Sequence, residues 1–142
     1  MQVKEIMTRY AEGVQGSDMV VEAAAKMREL NVGCLPVYDG DTPSGIITDR
    51  DITVRAVALG LEPGTTEVQE VMTGEVVTCA EDTTLVEAAE TMEQRKVRRL
   101  LVTEPGGGVV GIISLGDIAA HGSEEVSGEV LQHISQPAAP AR

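Results

Sequence analysis

Apolar residues recur at helical spacing over residues 18–31, where Met19, Val20, Ala23, Ala24, Met27 and Leu30 form a stripe with charged residues between them. Ser17 precedes this stretch as a capping type. A short apolar run follows, Cys34-Leu35-Pro36-Val37-Tyr38, then the turn residues Asp39-Gly40-Asp41 and a second run, Gly45-Ile46-Ile47. That sequence predicts a strand, a tight turn and a return strand. Pro36 lacks an N–H and suits a strand edge or start better than an interior ladder position. A second helix is expected over 49–59, ended by Gly60.

The same pattern returns. Met7-Thr8 recurs as Met72-Thr73, Glu22-Ala23-Ala24 as Glu87-Ala88-Ala89, Met27 as Met92 and Val37 as Val102, always 65 residues on. Gly45-Ile46-Ile47-Thr48 then answers to Gly111-Ile112-Ile113-Ser114, and Asp51-Ile52 to Asp117-Ile118, at an offset of 66, one residue having entered the intervening loop. Asp82 takes the place of Ser17 as the capping type. The second copy supplies Leu100-Leu101-Val102-Thr103, a Pro105-Gly106-Gly107-Gly108 turn, Val109 to Ile113 and a helix near 115–121. Coincidences at one spacing mark a duplicated unit. A single unit of about 60 residues buries too little surface to be robust alone. The prediction is therefore an α+β fold, β-α-β-β-α twice, the copies related by a pseudo-two-fold axis and sharing a core. The first repeat with its connector occupies 1–66 and the second 67–122. A short C-terminal helix is expected at 123–135, and 136–142 reads as a disordered tail.

Composition narrows the partners. Among 142 residues, 11 basic against 23 acidic give a net charge of −12, which opposes binding to nucleic acid or to anionic membranes. No Trp or Phe and two Tyr leave no base-stacking platform. The apolar runs are too short for a membrane span or a secretory segment, so the cytoplasm is expected. Cys34 reads as a small buried strand residue and Cys79 as the opening of a turn; with no C-x-x-C spacing, and His121 and His133 far along the chain, no metal site is expected. No nucleophile elbow, Walker A loop or His-Glu-x-x-His stretch is present, and Thr48 and Ser114 have no evident base, so the chain does not read as an enzyme.

The chemistry of interest sits where strand becomes helix. Thr48 has Asp51 three positions on, and Ser114 has Asp117. A helix start offers unpaired N–H groups to a phosphate, to which either hydroxyl can add a donor. Either carboxylate can accept from the two hydroxyls of a ribose. Gly45 and Gly111 allow close backbone approach. The same spacing is also that of a capping box, which uses the same donors and needs no ligand.

The doubled Gly-apolar-apolar-Thr/Ser-x-x-Asp-Ile signature, with a Leu-Pro-Val strand between two helices, resembles the cystathionine β-synthase (CBS) domain pair, or Bateman module, over residues 3–121. The whole chain is similar to small stand-alone actinobacterial CBS proteins of the hypoxic-response type. The resemblance implies two clefts between facing repeats, adenosine nucleotides as ligands and pairing into dimers through helix surfaces near 19–30 and 84–95. It implies that the cleft of Ser114 and Asp117 draws on Thr8, Tyr10 to Gly13 and Val32-Gly33. The cleft of Thr48 and Asp51 draws on Thr73, Val76-Val77 and Val97-Arg98. It also implies phosphate contacts from the residues just before the second repeat's strand, Arg98 and Arg99, whereas Arg95 and Lys96 complement the end of a helix. Gly33 and Cys34 occupy the matching positions of the first repeat and are not basic, and Asp49 brings a negative charge that Leu115 does not, so the clefts are unequal and one occupied site is expected. The resulting expectation is a non-catalytic sensor of an adenosine-type nucleotide such as AMP, ADP or ATP. It has no resident cofactor, forms a homodimer and acts on a protein partner in trans. The alternative is a ligand-free stress-response protein acting through its dimer surface.

Overall fold

The computed structural model describes residues 1–9 and 12–121; Tyr10 and the segments 123–135 and 136–142 lie outside the described residues. A single turn at Val3–Glu5 leads to β1 (Thr8–Arg9), β2 (Val14–Gln15), α1 (Val20–Leu30), β3 (Cys34–Asp39) and β4 (Thr42–Thr48). Then come α2 (Asp49–Ile52) with a π-helical turn Thr53–Val57, α3 (Val68–Val71), β5 (Thr78–Ala80), α4 (Leu85–Arg95), β6 (Arg99–Thr103), β7 (Val109–Ser114) and α5 (Leu115–His121). The order strand, helix, strand, strand, helix thus occurs twice.

Two compact units result: Ala11–Val76, and Met1–Tyr10 joined to the chain from Val77 onward. The first holds the sheet β2-β3-β4, the second the sheet β1-β7-β6-β5. In each, a short parallel strand, β2 or β5, flanks an antiparallel hairpin. The opening segment of one sequence repeat thus completes the unit built mainly from the other. β1 pairs with β7, Thr8 opposite Ile112. Thr73 bridges Ile46 in the same manner, with N–H···O distances of 2.9 and 3.0 Å.

That pairing explains the two signature glycines. A Cβ on Gly45 would stand 2.6 Å from the Thr73 carbonyl oxygen, and one on Gly111 would stand 2.5 Å from that of Thr8. The close approach expected at these glycines is made by the chain's own Met-Thr segments.

In the second unit Val3, Met7, Leu85, Ala88, Ala89, Met92, Leu100, Val102, Ile113, Leu115 and Ile118 form a buried core. In the other, Val20, Ala23 and Met27 of α1 are buried with Leu35, Val37 and Ile47 of the hairpin, while Ala24 of the expected stripe is exposed.

Several local expectations are corrected. The α1 cap is Met19, not Ser17: the Glu22 carboxylate accepts from the Met19 N–H at 2.7 Å, so the turn closes without a capping hydroxyl. The α4 cap is Thr84, not Asp82, with Thr84 Oγ1 accepting from the Glu87 N–H. The helix expected over 49–59 is α-helical only to Ile52; it widens into a π turn in which the Ala58 N–H reaches the Thr53 carbonyl, and Gly60 ends it at φ 72°. Cys79 lies in the middle of β5 rather than opening a turn.

Pro36 lies within the central strand β3, opposite Ile46. Both backbone groups of Ile46 are turned away toward Thr73, so Pro36 and Ile46 form a pair without mutual hydrogen bonds. On its other side β2 begins pairing only at Val37, one residue further along. The missing N–H therefore costs the ladder nothing.

Candidate functional site

The hydroxyl–carboxylate pairs sit where β4 passes into α2 and β7 into α5, and both have formed reciprocal caps. The Thr48 N–H donates to Asp51 Oδ2 at 3.0 Å and the Asp51 N–H to Thr48 Oγ1 at 3.0 Å. The Ser114 N–H donates to Asp117 Oδ2 at 2.8 Å and the Asp117 N–H to Ser114 Oγ at 3.1 Å. The capping arrangement foreseen from the spacing is the one adopted.

Strand registers show what shares a face with each hydroxyl, because directly opposed residues point the same way. Ser114 faces Arg99 and, two residues back along β7, Ile112 faces Thr8. Thr8, Arg99 and Ser114 therefore lie on one face of the sheet. The opposite face carries Leu100, Val102 and Ile113 into the core. In the other unit the same register puts Cys34 opposite Thr48 and Thr73 opposite Ile46.

Thr8 and Thr73 are thus each brought beside the pair expected from the sequence. Val32 and Gly33 belong to the unit of Asp51, where the Gly33 carbonyl accepts from the Asp49 N–H at 2.9 Å. Val97 and Arg98 belong to the unit of Asp117, where the Arg98 carbonyl accepts from the Leu115 N–H at 2.8 Å. Val76 closes one unit and Val77, which is buried, opens the other's longer segment. Arg98 and Arg99 are exposed, whereas Arg95 ends α4 and Lys96 caps it in the left-handed region at φ 57°.

The two pairs differ in access. Asp51 is 1% exposed and Thr48 7%, while Ser114 and Asp117 are half-buried. The difference centres on Arg55, which the sequence reading passed over. Its Nη1 lies 4.0 Å from Asp51 Oδ1 and donates to the carbonyls of Met72 at 3.1 Å and Val71 at 3.4 Å. The Thr73 hydroxyl reaches Asp51 Oδ2 at 3.5 Å. The repeat offset of 66 pairs Arg55 with His121, so a signal was present in the sequence.

Cys34 is buried in β3, and burial pushes the Cys79 thiol up to about 11 despite a hydrogen bond with Thr83 that acts the other way. Among the described residues, no three His, Cys, Asp or Glu side chains gather to hold a metal ion. His133 lies outside the described residues.

The model of the CBS domain family matches residues 3–57 and 68–124. The chain belongs to the CBS domain family. CBS pairs are regulatory rather than catalytic modules. This CBS pair is 38% identical over 134 residues to the CBS domain-containing protein YhcV of Bacillus subtilis, spanning 94% of each chain. It is 32% identical to Hypoxic response protein 1 of Mycobacterium tuberculosis over 139 residues, 97% of this chain and 96% of the relative. A solved structure of Hypoxic Response Protein I with two coordinated zinc ions superposes with a TM-score of 0.70 at 32% identity, over 85% of this chain and 98% of that one. The CBS pair of MJ0100, solved in complex with 5′-methylthioadenosine and S-adenosyl-L-methionine, superposes with a TM-score of 0.71 at 28% identity, over 84% of this chain and 94% of that one. No helix among the described residues is long and apolar enough to cross a membrane.

Proposed function

We propose that this CBS pair is a regulatory module that binds an adenosine-type nucleotide, such as AMP, ADP or ATP, at a site to which both sequence repeats contribute. In this reading it works in the cytoplasm as a homodimer and passes occupancy on to a protein partner in trans. The observation that carries the reading is the half-buried Ser114–Asp117 pair with Thr8 of the first repeat and Arg99 of the second on the same face. The Asp117 carboxylate suits a vicinal diol, which it can accept from twice. Arg99, with Arg98 beside it, suits a phosphate. Thr8 and Ser114 add hydroxyls that can donate or accept. The adenosine ligands of the MJ0100 pair support the same class of molecule.

Ligand binding to the folded state raises stability by RT ln(1 + [L]/Kd), about 2.7 kcal/mol at a hundredfold excess over Kd. Thermal unfolding with AMP, ADP, ATP, NAD and S-adenosylmethionine, each at millimolar concentration, tests the reading. A rise in Tm with at least one supports it, and no rise with any of the five rejects it.

A second reading, a ligand-free stress-response protein acting through its dimer surface, is favoured by Val21 and Val86. These occupy the same position of α1 and α4 in the two repeats and are 47% and 48% exposed. Sedimentation of the Val21→Glu and Val86→Glu double variant tests this surface: loss of the dimer supports it, and an unchanged mass removes it.

A further inference from the structure

The duplication makes each unit a control for the other. Position by position, the unit of Asp117 has Arg98, Arg99, Leu115 and His121 where the unit of Asp51 has Gly33, Cys34, Asp49 and Arg55. Three of these exchanges act on an incoming anion in one direction. Arg99 is exposed on the face of Ser114, while its counterpart Cys34 is buried opposite Thr48. Arg98 holds the helix through its carbonyl and leaves its side chain exposed, while at Gly33 the Asp49 carboxylate covers the backbone. At these three places one unit presents two cations and the other a carboxylate, while an exposed cation of that other unit, Arg50, stands beside that carboxylate where the first has Gly116.

The fourth exchange closes the second copy. Arg55 ties the carbonyls of Val71 and Met72 to the helix that carries Asp51, and so holds the Thr73 backbone in its double hydrogen bond with Ile46. The carboxylate that would take a ribose is held by the Thr48 amide, approached by the Thr73 hydroxyl and faced by the guanidinium, at 1% exposure. A diol could reach it only by displacing Arg55 from two carbonyls and one carboxylate together. The Arg55 side chain is itself 39% exposed, so the cost falls on the buried Asp51 carboxylate, which would lose the cation facing it.

We propose that the chain takes one phosphorylated nucleoside, in the unit of Asp117, and that Arg55 keeps the unit of Asp51 shut as a structural copy. Arg55 is thus a specificity-determining residue: it sets the number of ligands per chain without touching the ligand. This inference rests on the nucleotide reading above and adds to it the stoichiometry and the location.

Titration of the full chain with AMP, followed through backbone amide chemical shifts, separates the two units. The expected result is one saturable set of shifts at Thr8, Arg99, Ser114 and Asp117, with Thr48, Asp51 and Thr73 unmoved. Arg99→Ala should weaken AMP about tenfold or more but adenosine less than twofold, because only the phosphate is addressed. Arg55→His, which copies the other unit, should bring Thr48, Asp51 and Thr73 into the titration. Shifts in both units of the parent protein, or only near Asp51, overturn the one-site assignment while leaving nucleotide binding intact. An Arg55→His protein that folds yet leaves Thr48 and Asp51 silent overturns the role of Arg55. No shifts anywhere at millimolar AMP, with none from ADP or ATP, overturn both the nucleotide reading and the assignment. The parent titration and Arg99→Ala decide the location even if Arg55→His does not fold.

Discussion

The Asp49 carboxylate lies over Gly33, its Oδ2 2.9 Å from where a Cβ on that glycine would stand. The contact is with the end of an exposed side chain, which can swing aside. At Gly45 and Gly111 the obstacle is instead a backbone carbonyl, that of Thr73 or Thr8, fixed by strand pairing. Proximity alone does not set the cost of a substitution; what must move does.

Gly33→Ala is therefore expected to stay within about 0.5 kcal/mol of the parent. Gly45→Ala and Gly111→Ala should each lose about 1–3 kcal/mol, the range for forcing atoms into a packed site. Urea unfolding of the three variants checks the ranking, and equal losses at all three would refute it.

Val3 is fully buried in the core with Leu85, Ala88 and Met92, although it opens the first sequence repeat. Its amide donates to the Thr83 carbonyl at 2.8 Å, and the Leu85 amide donates to the Met1 carbonyl at 3.1 Å. Val3→Ala should cost about 2 kcal/mol, from two lost methyl groups and the space they leave. Site-resolved hydrogen exchange should show accelerated opening at Leu100 and Ile113, with Leu35 and Ile47 less affected. The opposite pattern would mean that the N-terminal segment supports the other unit.

The element order, the hairpins and the paired Thr-x-x-Asp and Ser-x-x-Asp junctions were legible in the sequence because duplication prints each signal twice. Three things were not. The capping residues were misread at Ser17 and Asp82 because Glu22 closes α1 with its own carboxylate and Thr84 outcompetes Asp82 by two residues of register. The placement of β1 beside β7 was not legible in the residue pattern, because a two-residue strand does not encode in its periodicity where it folds back; only the family resemblance put Thr8 with Ser114 and Asp117. The inequality of the two sites was visible in Gly33, Cys34 and Asp49. The part played by Arg55 was not, because an arginine in a helix reads as a solvated charge until its carbonyl partners are known.

Lys96 ends α4 in the left-handed region at φ 57°, and Asn31 ends α1 at φ 56°. An L side chain with a Cβ is strained there, asparagine less than lysine. Lys96→Gly should thus stabilise the protein by about 0.5–1 kcal/mol, and Asn31→Gly by less. The loss of a cation at the helix end works against the first gain, so the comparison is best made at high salt, which screens it. Thermal unfolding in which Lys96→Gly falls below the parent under those conditions would contradict the strain argument.

The Cys79 thiol is raised from 9.0 to about 11 because β5 buries it, and burial disfavours the thiolate. Two consequences have definite signs. At pH 8 the thiolate fraction is on the order of a hundredfold below that of an open cysteine, so alkylation of Cys79 in the folded protein should be slower by about that factor and recover on unfolding. The folded state also holds its proton where the unfolded chain has released it. The contribution of Cys79 to stability is therefore complete below pH 9.0 and declines as pH rises toward about 11. Tyr38, also raised by burial, bends the curve the same way, so the informative quantity is the difference between the parent and Cys79→Ala. That difference should shrink between pH 9 and 11 and be flat from 6 to 8; a difference that grows with pH would show that the thiolate is favoured by the fold.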